Sequence, residues 1–172
     1  GWENVICYGM GSTLDDVKNA AVAEMNIVCS AAAIKAAEYL KEKFGTPYEI
    51  EYPQSCLPEE IVQKADNFAD KNVLVIHNQT AADAVRKLIT EKSGKCHCTS
   101  ATFFMQKKEL SQQSDFFLAD ESDLCDNVGD NYDVVIADKA LRRVMKNFSG
   151  EFIDFPHFGL SGRLLQGESE KI

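Results

Sequence analysis

Val73-Leu74-Val75-Ile76-His77-Asn78-Gln79-Thr80 passes from a β-branched apolar run to polar residues, and its reading decides the fold. Five apolar-rich residues bounded by polar ones have the length and composition of a buried strand. Thr80, with Asp83 three residues on, predicts a helix N-cap, and Ala81, Val85, Leu88 and Ile89 recur on one helical face. A strand followed directly by an amphipathic helix is half of a β-α-β unit.

Working outward, the same alternation repeats. Downstream, Cys96 to Phe104 reads as a strand. Gln106 to Asn131 holds two short helices and an edge strand at Phe116 to Ala119. Asp133 to Ala137 is a buried strand, Lys139 to Asn147 a helix and Glu151 to Phe155 a last strand. Upstream, Asn4 to Tyr8 is a β-branched run ending in a glycine turn, and Leu14, Val17, Ala20 and Ala21 follow at helical spacing. Met25 to Ser30 is the next strand. Ile34, Ala37, Leu40 and Phe44 then mark a helix stopped by Gly45 and Pro47, and Tyr48 to Tyr52 is a third strand. Pro58, Glu59 and Glu60 form the first turn of a further helix. Each strand is followed by a helix long enough to cross over, so right-handed parallel packing is expected. The fold class is α/β, a three-layer αβα, Rossmann-like arrangement with mostly parallel sheets. The organisation expected is a partial Rossmann-like unit over 1–54, a bridging helix over 55–70, a second unit over 71–165 and a flexible tail over 166–172. Gly1 and Trp2 lead straight into a strand, which reads as an excised fragment of a longer chain.

Composition narrows the function classes. The 172 residues, 45% of them hydrophobic, suffice for an ordinary core. No run approaches the roughly 20 apolar residues that span a bilayer, and the start lacks a signal-peptide pattern, so a cytoplasmic protein without membrane contact is expected. A net charge of −9 argues against nucleic acid as a partner. The six cysteines, at 7, 29, 56, 96, 98 and 125, lie mostly in strand-like runs without Cys-x-x-Cys spacing, which reads as reduced thiols.

Few residues carry chemistry. Gly9 and Gly11 follow a strand and invite an anion-binding reading, with Ser12 at the helix start. A third glycine is missing, however, because position 14 is leucine, so a glycine turn capped by Ser12 or Thr13 competes. Cys96 and Cys98 should share one strand face and His97 the other, which favours two core thiols over a metal tract. Cys125 lies among acidic residues that disfavour a thiolate. His77 ends a strand where ligands meet parallel sheets, although a capped or solvated histidine is the bland account. Between Asp115 and Asp138 stand eight Asp or Glu and no Lys or Arg. That run is either a set of solvated loops or a docking surface for a charged electron-transfer partner. His157 falls just beyond the last strand, at the ligand-binding rim, where it can ligate a transition metal, act as acid or base, or be structural beside Pro156.

Ser12-Thr13-Leu14-Asp15-Asp16-Val17-Lys18, Met25-Asn26-Ile27-Val28-Cys29-Ser30 and Ala36-Ala37-Glu38-Tyr39-Leu40-Lys41-Glu42-Lys43-Phe44-Gly45-Thr46-Pro47-Tyr48 resemble nitrogenase component 1 type oxidoreductases. The resemblance covers Ser12 to Tyr52 most specifically and returns at Phe152 to Gly162. It implies the later part of a family subunit built from several Rossmann-like domains. It further implies an iron-sulfur cluster or related metallocluster in the full-length protein and none in the fragment, which would be inactive alone. The implied partners are an ATP-dependent iron-sulfur reductase and a family subunit in a homo- or hetero-oligomer. By this match His157 falls on a histidine metal ligand, with Ser161-Gly162 following at an interval one residue shorter; Ser161, and Gly9, Gly11 and Ser12 of the glycine turn, are the candidate cofactor contacts. Three functions stay open: an oxidoreductase subunit, a non-catalytic cofactor-assembly scaffold of the same family, and a small-ligand-binding α/β module.

Overall fold

The computed structural model describes residues 3–9, 11–128 and 131–161, with the side chains of Phe158 and Ser161 outside the description. Expectations that fall on Gly1, Trp2 and the tail over 166–172 lie outside the described residues. From Asn4 to Tyr8 the chain is exposed and forms no strand. This corrects the sequence reading: a β-branched run makes a strand only when a neighbouring strand takes up its backbone groups.

Helix α1 spans Leu14–Lys18 and is capped by Thr13 in a reciprocal box with Asp16. Strands β1 (Asn26–Val28) and β2 (Tyr48–Ile50) pair in parallel, with Asn26 opposite Tyr48. Between them α2 (Ile34–Phe44) buries Ile34 and Ala37 and ends at Gly45, whose φ of 75° is the left-handed cap conformation. Helix α3 (Glu59–Lys64) starts after Pro58, which serves as the N-cap rather than a first-turn residue.

The second sheet holds β3 (Asn72–Ile76), β4 (His97–Thr102), β5 (Phe116–Phe117), β6 (Val134–Ala137) and β7 (Glu151–Asp154). Its order is β5-β4-β3-β6-β7 and every pairing is parallel. Strand β5 is the edge expected at Phe116. The connection after β3 leaves in one direction through α4 (Gln79–Ser93) to β4, whereas β6 pairs on the other side of β3. Strand order therefore reverses between β3 and β6.

Alternation along the central strands sorts the core into two layers. Val73, Val75, Val134, Ile136 and Ile153 pack against Ile61, Phe68, Val85 and Ile89 of α3, its following turn and α4. Leu74, Ile76, Val135 and Ala137 face the opposite way, onto Leu124 and Val128 of α5 (Glu121–Val128) and onto Leu141, Met145 and Phe148. With helices on both faces of a parallel sheet, the three-layer α/β class holds. Two local readings are corrected. Asn78, not Thr80, caps α4, because its carbonyl oxygen accepts from the Ala81 amide (2.9 Å) and from the Thr80 hydroxyl (2.9 Å). The stretch expected as a helix over Lys139 to Asn147 is a 3-10 turn over Lys139–Arg143, started by Asp138. No helix among the described residues is long and apolar enough to cross a membrane.

Candidate functional site

Open parallel sheets bind ligands beyond the carboxyl ends of their strands, at the point where strand order reverses. Here that point lies beyond β3 and β6, and the residues gathered there are His77 after β3, Phe104 after β4, Asp138 after β6, and Phe155 to His157 after β7. The backbone at this edge satisfies itself as the strands run out: Phe155 N–H donates to Ala137 O at 2.8 Å and His77 N–H to Ala101 O at 3.3 Å.

The side chains form one packed column. The His77 ring stacks on Phe155, with centroids 4.0 Å apart and planes 20° apart, and meets His157 edge-on at 4.6 Å. His157 in turn stacks on Phe104 at 4.1 Å and 14°. Both imidazoles are buried. Asp138, fully buried, accepts from the His157 amide at 2.8 Å through one oxygen and from the Ala140 amide at 2.8 Å through the other. It thereby starts the 3-10 turn and fixes the chain carrying His157. Gly159 N–H donates to His157 Nδ1 at 3.1 Å. A Cβ at Gly159 would stand 3.2 Å from His157 Cε1 and 3.3 Å from Phe104 Cε1, so glycine is what lets the chain close over the stacked rings.

The electrostatics keep both rings neutral. Burial pushes His77 down to about 4, and His157 beside it adds to the drop. Burial also lowers His157, against the pull of Asp138. Neutral imidazole is the form that ligates transition metals. His77 Nε2 sits 3.2 Å from the Pro156 carbonyl, which can only accept, so the His77 proton is on Nε2. Its buried Nδ1 has no hydrogen-bond partner. The expectation of a capped or solvated His77 is therefore corrected: it is a core residue.

Fit to a metal is partial. Among the described residues no group of three or more His, Cys, Asp and Glu can hold a metal ion. Furthermore, a neutral imidazole that coordinates through Nε2 carries its proton on Nδ1, so ligation by His157 requires the Gly159 contact to open. The described residues therefore offer at most one imidazole nitrogen, that of His157, and only with its Gly159 contact opened.

Gly9, Gly11 and Ser12 share one exposed turn on the other side of the chain sequence. Ser12 Oγ accepts from the Gly9 amide (3.0 Å) and donates to Cys7 O (2.9 Å), while Ser12 N–H bonds to Gly9 O (3.1 Å). These donors are spent within the turn, and Gly11, at φ 99°, supplies its left-handed corner. Ser161 lies in α6 (Phe158–Ser161), four residues beyond His157 in sequence. Cys98 is buried, its thiol pushed up to about 12 chiefly by burial, with His97 exposed on the opposite face as expected. Cys125 is exposed and lies 3.5 Å from Val144 O. Sequence reading passed over one grouping. Cys29, just after β1, is exposed as a residue, but the partial burial of its thiol raises it first, and neighbouring Cys56 and Cys7 raise it further. Its signal was position, since Cys7 and Cys56 also sit near strand-like runs rather than at motif spacing.

Among solved structures the fold has a counterpart. The chain is similar in fold to a chain of "Nitrogenase Cp1 at pH 6.5". The match has a TM-score of 0.51 at 15% identity and covers 88% of this chain and 43% of that one. Identity this low establishes a nitrogenase-like fold and nothing finer. The chain spans less than half the length of its structural counterpart. No family model and no curated protein sequence matches it.

Proposed function

We propose that this chain is the later part of a nitrogenase component 1-like oxidoreductase subunit, which accepts low-potential electrons from an ATP-dependent iron-sulfur reductase and delivers them to a substrate. The observation that carries the reading is His157: a neutral, buried imidazole at the strand-order reversal of a nitrogenase-like fold. In the complete cytoplasmic subunit, His157 would donate one nitrogen to an iron-sulfur cluster or related metallocluster, which supplies the electron-transfer chemistry when bound. The residues of this chain do the positioning. Asp138 holds the His157 backbone, Phe104 fixes the ring plane, and burial keeps the imidazole unprotonated.

Within the same reading, Ser161 and the turn of Gly9, Gly11 and Ser12 are further contacts to the cofactor, the turn through groups other than the Gly9 amide and the Ser12 amide and hydroxyl, which bond within it. Residues 1–54 and 71–165 are two Rossmann-like units bridged by 55–70, and a second family subunit completes the oligomer. A cofactor-assembly scaffold shares every one of these features without substrate turnover, so it is the second reading. A small-ligand-binding α/β module is the third.

Full-length protein purified without oxygen is expected to be brown and to contain iron. A colourless, iron-free preparation overturns both family readings. The variant His157→Ala is expected to change the cluster's electron paramagnetic resonance spectrum, and an unchanged spectrum removes His157 from the site. Steady reduction of substrate with the reductase partner and ATP separates the enzyme from the scaffold.

A further inference from the structure

The stack on His157 depends on a loop that leaves the sheet. Beyond β4 the chain runs from Phe103 to Asp115 before returning as β5, and nothing in its own short 3-10 turn at Lys108–Leu110 would hold it in place. Its far end is tied down at Asp115, which accepts from Arg86 of α4 and from the Ser100 amide, and its middle is held by one side chain from another element. Gln79, the first residue of α4, is 1% exposed. Its carbonyl oxygen accepts from the Lys107 amide at 2.9 Å, and its amide nitrogen donates to Lys107 O at 3.0 Å and to Ser111 Oγ at 3.0 Å. A buried glutamine that pairs with both backbone groups of one half-buried residue acts as a substitute strand, because it satisfies a donor and an acceptor that the loop itself leaves for a partner.

The loop so held makes two contacts of consequence. Phe104, three residues before Lys107, lies flat on His157. Leu110, three residues after it, packs on Val28, Ala31, Ile34 and Ala37 around the first sheet. We infer that Gln79 is a positioning residue of the candidate site: through Lys107 and Ser111 it clamps the 103–112 loop as a strap that sets the His157 ring plane and ties the second sheet to the first. This holds whether or not His157 takes up a cluster, because every contact in it is between residues of this chain.

The test uses the full chain without added metal. Gln79→Leu keeps the volume and removes the three hydrogen bonds; Ser111→Ala removes one of them together with the bond that the Ser111 hydroxyl donates to Lys107 O at 3.1 Å. In Gln79→Leu, backbone amides over 105–111 are expected to exchange about tenfold faster or more, as loss of a buried hydrogen bond requires. Amides of β3 and β6 should keep the parent rate. At the same time the His157 ring proton signals, moved upfield by the Phe104 face, are expected to shift toward their unstacked positions. Phe104→Leu should reproduce that shift without the faster exchange. Ser111→Ala should give a smaller change of the same kind, and it carries the test where Gln79→Leu does not fold. Faster loop exchange with unmoved His157 signals, or no change in either, overturns the assignment. Iron content of the full-length protein does not enter this readout, so failure of the cluster reading and failure of the strap are told apart.

Discussion

At Asp83 the local charge balance makes a measurable prediction. Its carboxylate sits 2.8 Å from Arg86 Nη1, yet burial outweighs that attraction and, with Asp115 nearby, raises its pKa from 3.8 to about 6. A carboxyl whose folded pKa lies above its unfolded value holds an extra proton in the native state. Its stabilising contribution is present in acid and is lost as pH rises from about 4 through 6. Asp83→Asn, which mimics the protonated group, is expected to melt higher than the parent at about pH 7, with the difference vanishing below about pH 4. The gain is small because the side chain is 36% exposed and screened. Thermal melts of both proteins across that range check the sign. Arg86 itself is a different matter. It is buried, donates to Cys98 O at 3.1 Å and also pairs with Asp115, so it joins α4 to β4 and to the approach of β5.

Strand β7 shows how one element is placed by its neighbours. Glu151 N–H donates to Asp133 O at 2.9 Å, which begins the parallel ladder with β6. Gly150 stands directly before it, where an added Cβ would lie 2.5 Å from that same carbonyl and 2.6 Å from Phe148 Cζ. Neither atom can give way cheaply, since one is backbone in the sheet and the other belongs to a buried ring. Gly150→Ala is therefore expected to cost about 2–4 kcal/mol, in the range of overpacked or strained core positions. Chemical denaturation measures it, and a loss within about 0.5 kcal/mol would show that β7 is free to shift. Surface ion pairs cannot offset such a loss. Lys64 bonds Glu60 at 2.7 Å and Glu151 at 2.9 Å, but these groups are solvated and each pair contributes well under about 1 kcal/mol.

Across the whole molecule, the two sheets share few apolar contacts, and Leu110 is the residue of the 103–112 loop that enters the core beneath the first. Leu110→Asp would place a charge against Val28, Ala31 and Ile34. It is expected to raise amide exchange in β1 and β2 while leaving β3, β4 and β6 protected, because the larger sheet keeps both of its own packed layers. Equal loss of protection in both sheets would instead show one cooperative unit.

Sequence alone determined the elements whose burial follows from local pattern. Val73 to Ile76 and Val134 to Ala137 are apolar on both faces, which marks buried central strands, and the end of α2 at Gly45 was equally legible; the edge strand read at Phe116 to Ala119 was far fainter and is only Phe116–Phe117. His157 was marked by its place beyond a strand end. Tertiary structure decided the rest. Asn4 to Tyr8 has strand composition but no partner for its backbone. Asn78 took the cap of α4 from Thr80 because the helix starts two residues earlier, leaving the Thr80 hydroxyl between Cys29 O and Asn78 Oδ1, with its single proton to share. The column of Phe155, His77, His157 and Phe104, clamped by Gln79 and Asp138, joins residues up to 80 positions apart, and no local pattern encodes which of them will touch. Such contacts follow from strand order, and strand order is settled only when the sheet assembles.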